Sequence, residues 1–176
     1  MAEYRRHLPH FHPEGRYLFV TWRLSGSLPA AVSHAMYTTP GHAFAAEDRA
    51  LARSPEPLWL QDPRIARQVV RTLSDGEPRL YELQWVVMPN HVHVLLLPHT
   101  ALREITQWIK GRTAPEANRL LGRSGQSFWQ HESYDHWVRN EKEFNRIVRY
   151  IEANPVSAGL SRNPKDWPWS SASRAS

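Results

Sequence analysis

Two histidines lie one residue apart inside an apolar stretch, where a buried strand normally carries no side chain that binds metals. They are His91 and His93, within the segment QWVVMPNHVHVLLLP at residues 84–98. Alternate residues of a strand project from the same face, with Cα atoms ~6.7 Å apart, so two imidazole nitrogens can share one ion. The pattern also fits histidines on the outer face of a half-buried sheet, or a hydrogen-bonded core histidine. A metal site therefore requires further ligands.

The last predicted helix offers a third ligand. Tyr150 and Asn154 are four residues apart, so both can project from one helix face, ~6 Å apart along the axis. If that face packs over the histidine strand, the Asn154 amide oxygen completes a mixed nitrogen and oxygen site beside the Tyr150 phenol. Such a donor set favours Mg²⁺ or Mn²⁺ more than a thiolate site does. The same two residues also fit an ordinary helix terminator before proline and an aromatic residue at the edge of an amphipathic face.

The histidine spacing occurs once more near the start of the chain. His10 and His12 flank Phe11 in a polar, proline-bearing arm over residues 1–15. Because this arm has no strand pattern, nothing places the two rings on a shared face, and the pair is a weaker candidate.

Alternation of apolar and polar residues predicts the strands that position these groups. Strands are predicted over 16–24, 79–89 and 91–98, with a further extended segment over 127–138. Only Pro89-Asn90 separates the second strand from the third, so these two are expected to pair antiparallel. Residues 25–57 lack a regular pattern apart from a short helix near Glu47–Arg53, and we expect an irregular, partly mobile excursion there.

Three further helices follow from apolar residues at helical spacing. The helix over 62–75 opens with a capping aspartate and a proline in its first turn. The helix over 102–122 contains Pro115, which is expected to bend or divide it. The helix over 140–155 is expected to end at Asn154-Pro155, because the residue before a proline disfavours helical geometry.

The order of elements is strand, helix, strand, strand, helix, strand, helix. This predicts a single α+β domain over residues 1–176, with a ferredoxin-like antiparallel sheet in βαββαβ order. The helices are expected to pack on one face of that sheet. An additional C-terminal helix carries Tyr150.

Composition narrows the class of protein. The chain has 176 residues, with 22 Lys and Arg against 17 Asp and Glu, a formal charge of +5 and a pI near 9.9. A polyanionic partner is the first to consider, although simple solubility explains a modest charge equally well. The absence of cysteine excludes disulfides and thiolate metal sites. No stretch has the ~20 apolar residues of a membrane span, and none forms a signal peptide, so we expect a soluble, cytoplasmic protein.

Two motifs together carry a family resemblance. The segments PNHVHVLLLP and YIEANPVSAGL resemble the single-tyrosine HUH transposases, most closely the REP-associated tyrosine transposases. In these proteins a histidine-hydrophobic-histidine strand is followed by a helix with a Tyr-x-x-x-Asn pattern. Similarity extends over nearly the whole chain through VTWRLSGSLP, IKGRTA, FWQHESYDHWVRNEKEF and DWPWSSA.

The resemblance implies a chemistry for these residues. A divalent ion, Mg²⁺ or Mn²⁺, is held by His91, His93 and Asn154 and acts as a Lewis acid. The Tyr150 oxygen attacks a DNA phosphate, leaving a 5′-phosphotyrosine and a free 3′-hydroxyl, and the retained phosphodiester energy allows rejoining. Tyr134 is the rival nucleophile, but its predicted strand offers no ligand partner one helical turn away.

The implied substrate is single-stranded DNA folded into a hairpin, as in palindromic repeats. A basic helix surface is available for its phosphates, made of Arg103, Lys110, Arg112, Arg119 and Arg123. Each of these residues also fits a solvated helix face. Alternatives are a DNA-hairpin-binding protein that does not cleave and a metal-dependent hydrolase of small phosphate esters. The protein is expected to act as a monomer or homodimer, and residues 31–57 have no implied role.

Overall fold

A four-stranded antiparallel sheet forms the centre of the protein, in a computed structural model that describes residues 14–28, 40–76 and 81–174. The strands are β1 (Leu18–Arg23), β2 (Tyr81–Val87), β3 (His91–Pro98) and β4 (Tyr134–Trp137). Their spatial order is β2-β3-β1-β4, so β1 and β3 are central. The predicted antiparallel pairing of β2 with β3 is confirmed.

Four helices accompany the sheet. They are α1 (Pro40–Arg53), α2 (Pro63–Asp75), α3 (Leu102–Leu120) and α4 (Glu141–Ser157), with short 3₁₀ turns at Trp59–Gln61, Pro164–Asp166 and Ser171–Arg174. The predicted cap of α2 is confirmed, because the Asp62 side chain accepts a hydrogen bond from the Arg64 backbone N–H. None of the helices in the described part of the chain combines the length and apolar composition that a bilayer crossing requires. An α+β fold with an antiparallel sheet and helices is confirmed.

The helices cover both faces of the sheet, so the prediction of helices on one face is wrong. Alternate residues of β1 divide between two apolar clusters: Val20 and Trp22 pack with residues of α2 and α3, whereas Phe19 packs with residues of α4. The cause is visible in β3, whose first six residues are all buried. A strand with one solvated face alternates in polarity, whereas a strand covered on both faces does not.

Neither internal proline interrupts its helix. Pro115 lies inside α3, and Pro155 lies inside α4, which continues to Ser157. The predicted helix end at Asn154-Pro155 is therefore wrong. A proline removes one backbone hydrogen bond but holds φ near the helical value, and here the chain keeps the helix through both positions.

The stretch predicted to be irregular contains a regular helix. Helix α1 has 14 residues, against the short helix expected near Glu47–Arg53. Its Leu51 side chain is 2% exposed, which anchors the helix against the rest of the protein. The expected excursion over 25–57 is thus partly helical, and residues 29–39 lie outside the described part of the chain.

The C-terminal segment covers the outer edge of β2. The Val87 backbone N–H donates to Trp169 O at 2.8 Å, and the Trp167 indole N–H donates to Val87 O at 2.9 Å. The Ser171 hydroxyl accepts from the Trp85 backbone N–H at 3.0 Å. These bonds satisfy an edge that would otherwise be open to pairing with another chain.

Candidate functional site

The two histidines of β3 face each other closely. The Nε2 atoms of His91 and His93 are 3.0 Å apart, and the side chains are 1% and 0% exposed. Both rings lie on the sheet face that α4 covers, since Phe19 stacks on His93 with ring centroids 5.6 Å apart. The strand geometry thus brings the imidazoles together as expected.

A carboxylate from α1 completes a three-atom cluster. Asp48 Oδ1 lies 3.0 Å from His93 Nε2 and 3.5 Å from His91 Nε2. No pattern in the sequence pointed to Asp48, because it precedes the histidines by more than 40 residues and belongs to a stretch without periodicity. Within the described ranges, this is the one group of three histidine, cysteine or acidic ligands close enough to hold an ion.

The spacing of these atoms fits a divalent cation. The triangle formed by Oδ1 and the two Nε2 atoms has a circumscribed radius of about 1.8 Å. This is shorter than the ~2.0–2.2 Å of common metal–ligand bonds, so one ion lying slightly above the plane of the triangle can contact all three atoms. Two imidazoles and one carboxylate form a nitrogen and oxygen donor set that suits borderline ions such as Mn²⁺ better than Mg²⁺, which prefers oxygen alone.

The protonation of the cluster also suits a cation. Burial lowers the pKa of His91 to about 3, with a further contribution from His93 and an opposing one from Asp48. Burial alone would raise the pKa of Asp48, but the hydrogen bond with His93 and the charges of both histidines lower it to about 2. At neutral pH the site therefore contains a carboxylate beside a neutral His91 imidazole with a free nitrogen lone pair.

Each histidine has a hydrogen-bond partner behind it. His91 Nδ1 is 2.7 Å from Asn90 Oδ1, and His93 Nδ1 is 2.7 Å from Thr21 Oγ1. Both partners are buried. Such contacts fix the orientation of imidazole ligands and are a common feature of protein metal sites.

Helix α4 places Tyr150 beside the cluster. The Tyr150 ring centroid is 5.4 Å from that of His93, and the Phe19 ring packs against both. Burial, the charge of Asp48 and a hydrogen bond to Asp48 raise the pKa of Tyr150 above its ordinary value, whereas a hydrogen bond with Asn154 opposes this. The Tyr150 hydroxyl is thus adjacent to Asp48 and Asn154, and Asn154 is 8% exposed.

The rival tyrosine lies on the same face of the sheet. Tyr134 pairs with Thr21 across β4 and β1, and its ring centroid is 6.4 Å from that of Phe19. Burial raises the pKa of Tyr134 to about 12, with contributions from neighbouring acidic residues, Asp135 first. Phe19 therefore contacts both tyrosines, and the ring of Tyr150 also contacts that of His93.

Four of the five basic residues of the predicted DNA surface lie on α3, which packs on the sheet face opposite this cluster. The fifth, Arg123, follows the end of that helix. Lys110 donates to backbone carbonyls of the segment before β4, and Arg119 pairs with a glutamate of its own helix. Arg112 and Arg123 lie over tryptophan rings, at 5.0 and 3.7 Å from the ring centroids. Arg103 is exposed and lines a cavity of about 680 Å³ between the start of α3 and the segment before β4. The second histidine pair, His10 and His12, lies outside the described residues.

Known proteins are similar to this chain in both sequence and fold. The profile of the IS200-like transposase family matches residues 64–154, which include both histidines, Tyr150 and Asn154. A REP-associated tyrosine transposase of Escherichia coli strain K12 is 31% identical over 119 residues, covering 66% of this chain and 68% of the relative. A Haemophilus influenzae protein assigned to the same group is 32% identical over 101 residues, covering 50% of this chain and 56% of that protein.

A solved structure supports the fold over almost the full length. It is that of a REP-associated tyrosine transposase bound to a REP hairpin, with a TM-score of 0.61 and 24% identity, covering 99% of this chain and 84% of the other. The family match spans more than half of the chain and contains the histidine and tyrosine motifs. The protein therefore belongs to the IS200-like transposase family and, within it, to the REP-associated tyrosine transposases.

Proposed function

We propose that this protein cleaves and rejoins single-stranded DNA at hairpins through a covalent bond to Tyr150. The observation that carries the proposal is the convergence of His91, His93 and Asp48 beside the Tyr150 ring. The cluster offers three metal ligands within 3.5 Å of one another, and the phenol is the nearby group able to act as a nucleophile. The ferredoxin-like arrangement of the sheet is part of this proposal, with α4 as the helix that carries the nucleophile.

The reaction at Tyr150 is a transesterification. Its phenolic oxygen forms a bond to a DNA phosphorus while the bond from that phosphorus to the 3′-oxygen breaks. The products are a 5′-phosphotyrosine on the protein and a free 3′-hydroxyl on the DNA, and attack by a 3′-hydroxyl reverses the step. No high-energy cofactor is needed, because the phosphodiester is exchanged and not hydrolysed.

The ligands proposed for the divalent ion are His91, His93 and Asp48, with Asn154 as an additional oxygen donor. Bound there, Mg²⁺ or Mn²⁺ supplies Lewis acidity that offsets charge on the phosphate oxygens. Asp48 also links the cluster to the nucleophile, because its negative charge contributes to the raised pKa of Tyr150. Compensation of that charge lowers the pKa of the phenol and favours the reactive phenolate.

We propose a DNA hairpin as the substrate because the similar solved structure contains a REP hairpin. Arg103 on α3 is an exposed member of the predicted basic surface that lines the cavity before β4, and it is proposed to contact the stem phosphates. Two further exposed arginines, Arg49 and Arg149, are adjacent in sequence to Asp48 and Tyr150. We propose that they contact the phosphates near the cleaved bond. All groups of the proposed site come from one chain, so a monomer contains a complete site.

Covalent adduct formation tests this function. The purified protein is incubated with Mn²⁺ and a fluorescent hairpin oligonucleotide that carries a single-stranded flank, and a labelled band is sought on a denaturing gel. We expect an adduct with the wild-type protein and with Tyr134→Phe, and none with Tyr150→Phe. The two substitutions remove the same hydroxyl group from two tyrosines on one sheet face, so each is the control for the other.

Two results would redirect the proposal. An adduct that persists in Tyr150→Phe and disappears in Tyr134→Phe would transfer the nucleophile to β4. A wild-type protein that binds the hairpin but forms no adduct would favour the alternative of a DNA-binding protein that does not cleave.

A further inference from the structure

Asn90 connects the histidine strand to helix α1. It lies in the turn between β2 and β3 and is 2% exposed. Its Nδ2 donates to the backbone carbonyl of Leu51 at 2.8 Å, and its Oδ1 is 2.7 Å from His91 Nδ1. Leu51 is three residues after Asp48 on the same helix. One buried amide therefore contacts both elements that supply the candidate metal ligands.

The Leu51 carbonyl fixes which way this amide points. A backbone carbonyl only accepts hydrogen bonds, so the amide atom facing it must be the nitrogen. The other amide atom, facing His91, is then the oxygen, which also only accepts. His91 must therefore donate from Nδ1, and a neutral imidazole with its proton on Nδ1 has its lone pair on Nε2. That lone pair is the one within 3.5 Å of Asp48 Oδ1.

We propose that Asn90 is a positioning residue with two roles: it holds His91 as the Nδ1-protonated tautomer and docks α1 so that Asp48 reaches the histidines. This inference deepens the proposed function, because it rests on the same cluster being a metal site. The buried amide links the side-chain tautomer in β3 to the placement of a helix more than 35 residues earlier in the chain.

The partner of His93 differs in a way that sharpens the proposal. Thr21 presents a hydroxyl to His93 Nδ1, and a hydroxyl can rotate to donate or accept. Thr21 therefore does not select a tautomer of His93. In the metal-free protein His93 instead carries a proton on Nε2, because Asp48 Oδ1 lies 3.0 Å from that nitrogen and a carboxylate only accepts. His91 is thus the histidine whose ligating nitrogen already carries a lone pair before a metal binds.

The tautomer of His91 is the first test, and it uses the metal-free protein. Long-range ¹H–¹⁵N NMR spectra of the ¹⁵N-labelled full chain distinguish the protonated from the unprotonated ring nitrogen. We expect a His91 with Nδ1–H in the wild type and a population of Nε2–H in Asn90→Ala. The same substitution at Asn118 is the matched control, because Asn118 is 4% exposed and its amide donates to Gln126 O on α3's side of the sheet. A wild-type His91 protonated on Nε2, or an unchanged tautomer in Asn90→Ala, overturns the first role.

Asn90→Asp separates the two roles and covers the case in which the alanine variant does not fold. A carboxylate still accepts from His91 Nδ1–H but cannot donate to the Leu51 carbonyl. We expect the tautomer to be retained and the docking of α1 to be lost. If Asn90→Asp shifts the His91 tautomer to Nε2–H, the assignment of the amide orientation is wrong.

Mn²⁺ affinity, measured by calorimetry without DNA, tests the second role. We expect Asn90→Ala to weaken binding by roughly 10–100-fold, the usual effect of removing a residue that orients a ligand, and Asn118→Ala to leave it unchanged. The double variant Asn90→Asp with Asp48→Ala should bind no more weakly than Asp48→Ala alone, because both changes remove the same ligand. Full additivity of the two losses overturns the docking role.

Failure of this inference is distinguishable from failure of the proposed function. A wild-type protein that binds no Mn²⁺ contradicts the metal site and with it the docking role. The NMR spectra still decide whether Asn90 selects the His91 tautomer. Normal Mn²⁺ affinity in Asn90→Ala contradicts this inference alone.

Discussion

Replacement of Asp48 by asparagine is the most direct test of the site that the structure presents. The change keeps the size of the side chain and one oxygen but removes the negative charge from a cluster in which Asp48 Oδ1 lies 3.0 and 3.5 Å from the two Nε2 atoms. Residues that only orient a ligand typically contribute 10–100-fold to metal affinity. Asp48 is proposed as a direct ligand and is the one anion among the three proposed ligands of the cluster. We therefore expect Mn²⁺ to bind at least about 100-fold more weakly, which is about 2.7 kcal/mol.

Calorimetric titration of the metal-free protein with MnCl₂ measures this loss, and adduct formation provides an independent readout. Tyr150 is intact in Asp48→Asn, so the adduct should return as Mn²⁺ is raised, whereas no concentration restores it in Tyr150→Phe. Asn154→Ala is the companion variant, because Asn154 is the third ligand that the sequence predicts. An Asp48→Asn protein within about threefold of wild-type affinity, together with a 100-fold loss in Asn154→Ala, would refute our assignment of Asp48.

Three further predictions concern a buried carboxylate of α4, the basic residues on and after α3, and the outer edge of β2. Burial opposes ionisation of Glu143, but hydrogen bonds from the backbone and side chains beside it outweigh this and place its pKa below the ordinary value. Stability should therefore fall as the pH drops below about 4.5, and urea denaturation of Glu143→Gln should show a weaker dependence in that range. Arg103→Ala should reduce the slope of log binding constant against log salt concentration for the hairpin by about one unit. Arg123→Ala loses the contact with the Trp59 ring, so it should lower stability by about 0.5–2 kcal/mol and leave that slope unchanged. Ser171→Ala leaves the Trp85 backbone N–H without its acceptor and should cost about 1–3 kcal/mol in denaturant unfolding; a loss below 0.3 kcal/mol would argue against a role in closing the sheet edge.

Local periodicity was sufficient to predict the strand and the helix that carry the two motifs. A period of two residues placed His91 and His93 on one face. A spacing of four placed Tyr150 and Asn154 on one side of α4, where the Asn154 amide lies next to the Tyr150 hydroxyl. These relations depend on backbone geometry over a few residues, so a sequence determines them directly. The burial of both sheet faces was also encoded, in the consecutive apolar residues of β3 at positions 94–97, although the element order suggested one covered face.

The sequence did not show which basic residues have partners within the protein. Lys110, Arg112, Arg119 and Arg123 have the charge of a DNA-binding surface, but each has an intramolecular partner. Partners on other elements depend on how α3 packs, and the positions of charged residues along a helix do not predict that packing.

The sequence by itself determined the family, the class of fold and the two pairs of side chains that lie within single elements. Only the tertiary structure decided that Asp48 joins them. Asp48 and His93 are 45 positions apart, and their contact depends on how α1 is held against the sheet by buried Leu51 and by the Asn90 amide. Contacts of that range have no period along the chain. They follow from which apolar and polar surfaces match once the helices pack, so Asp48 became visible only in the assembled fold.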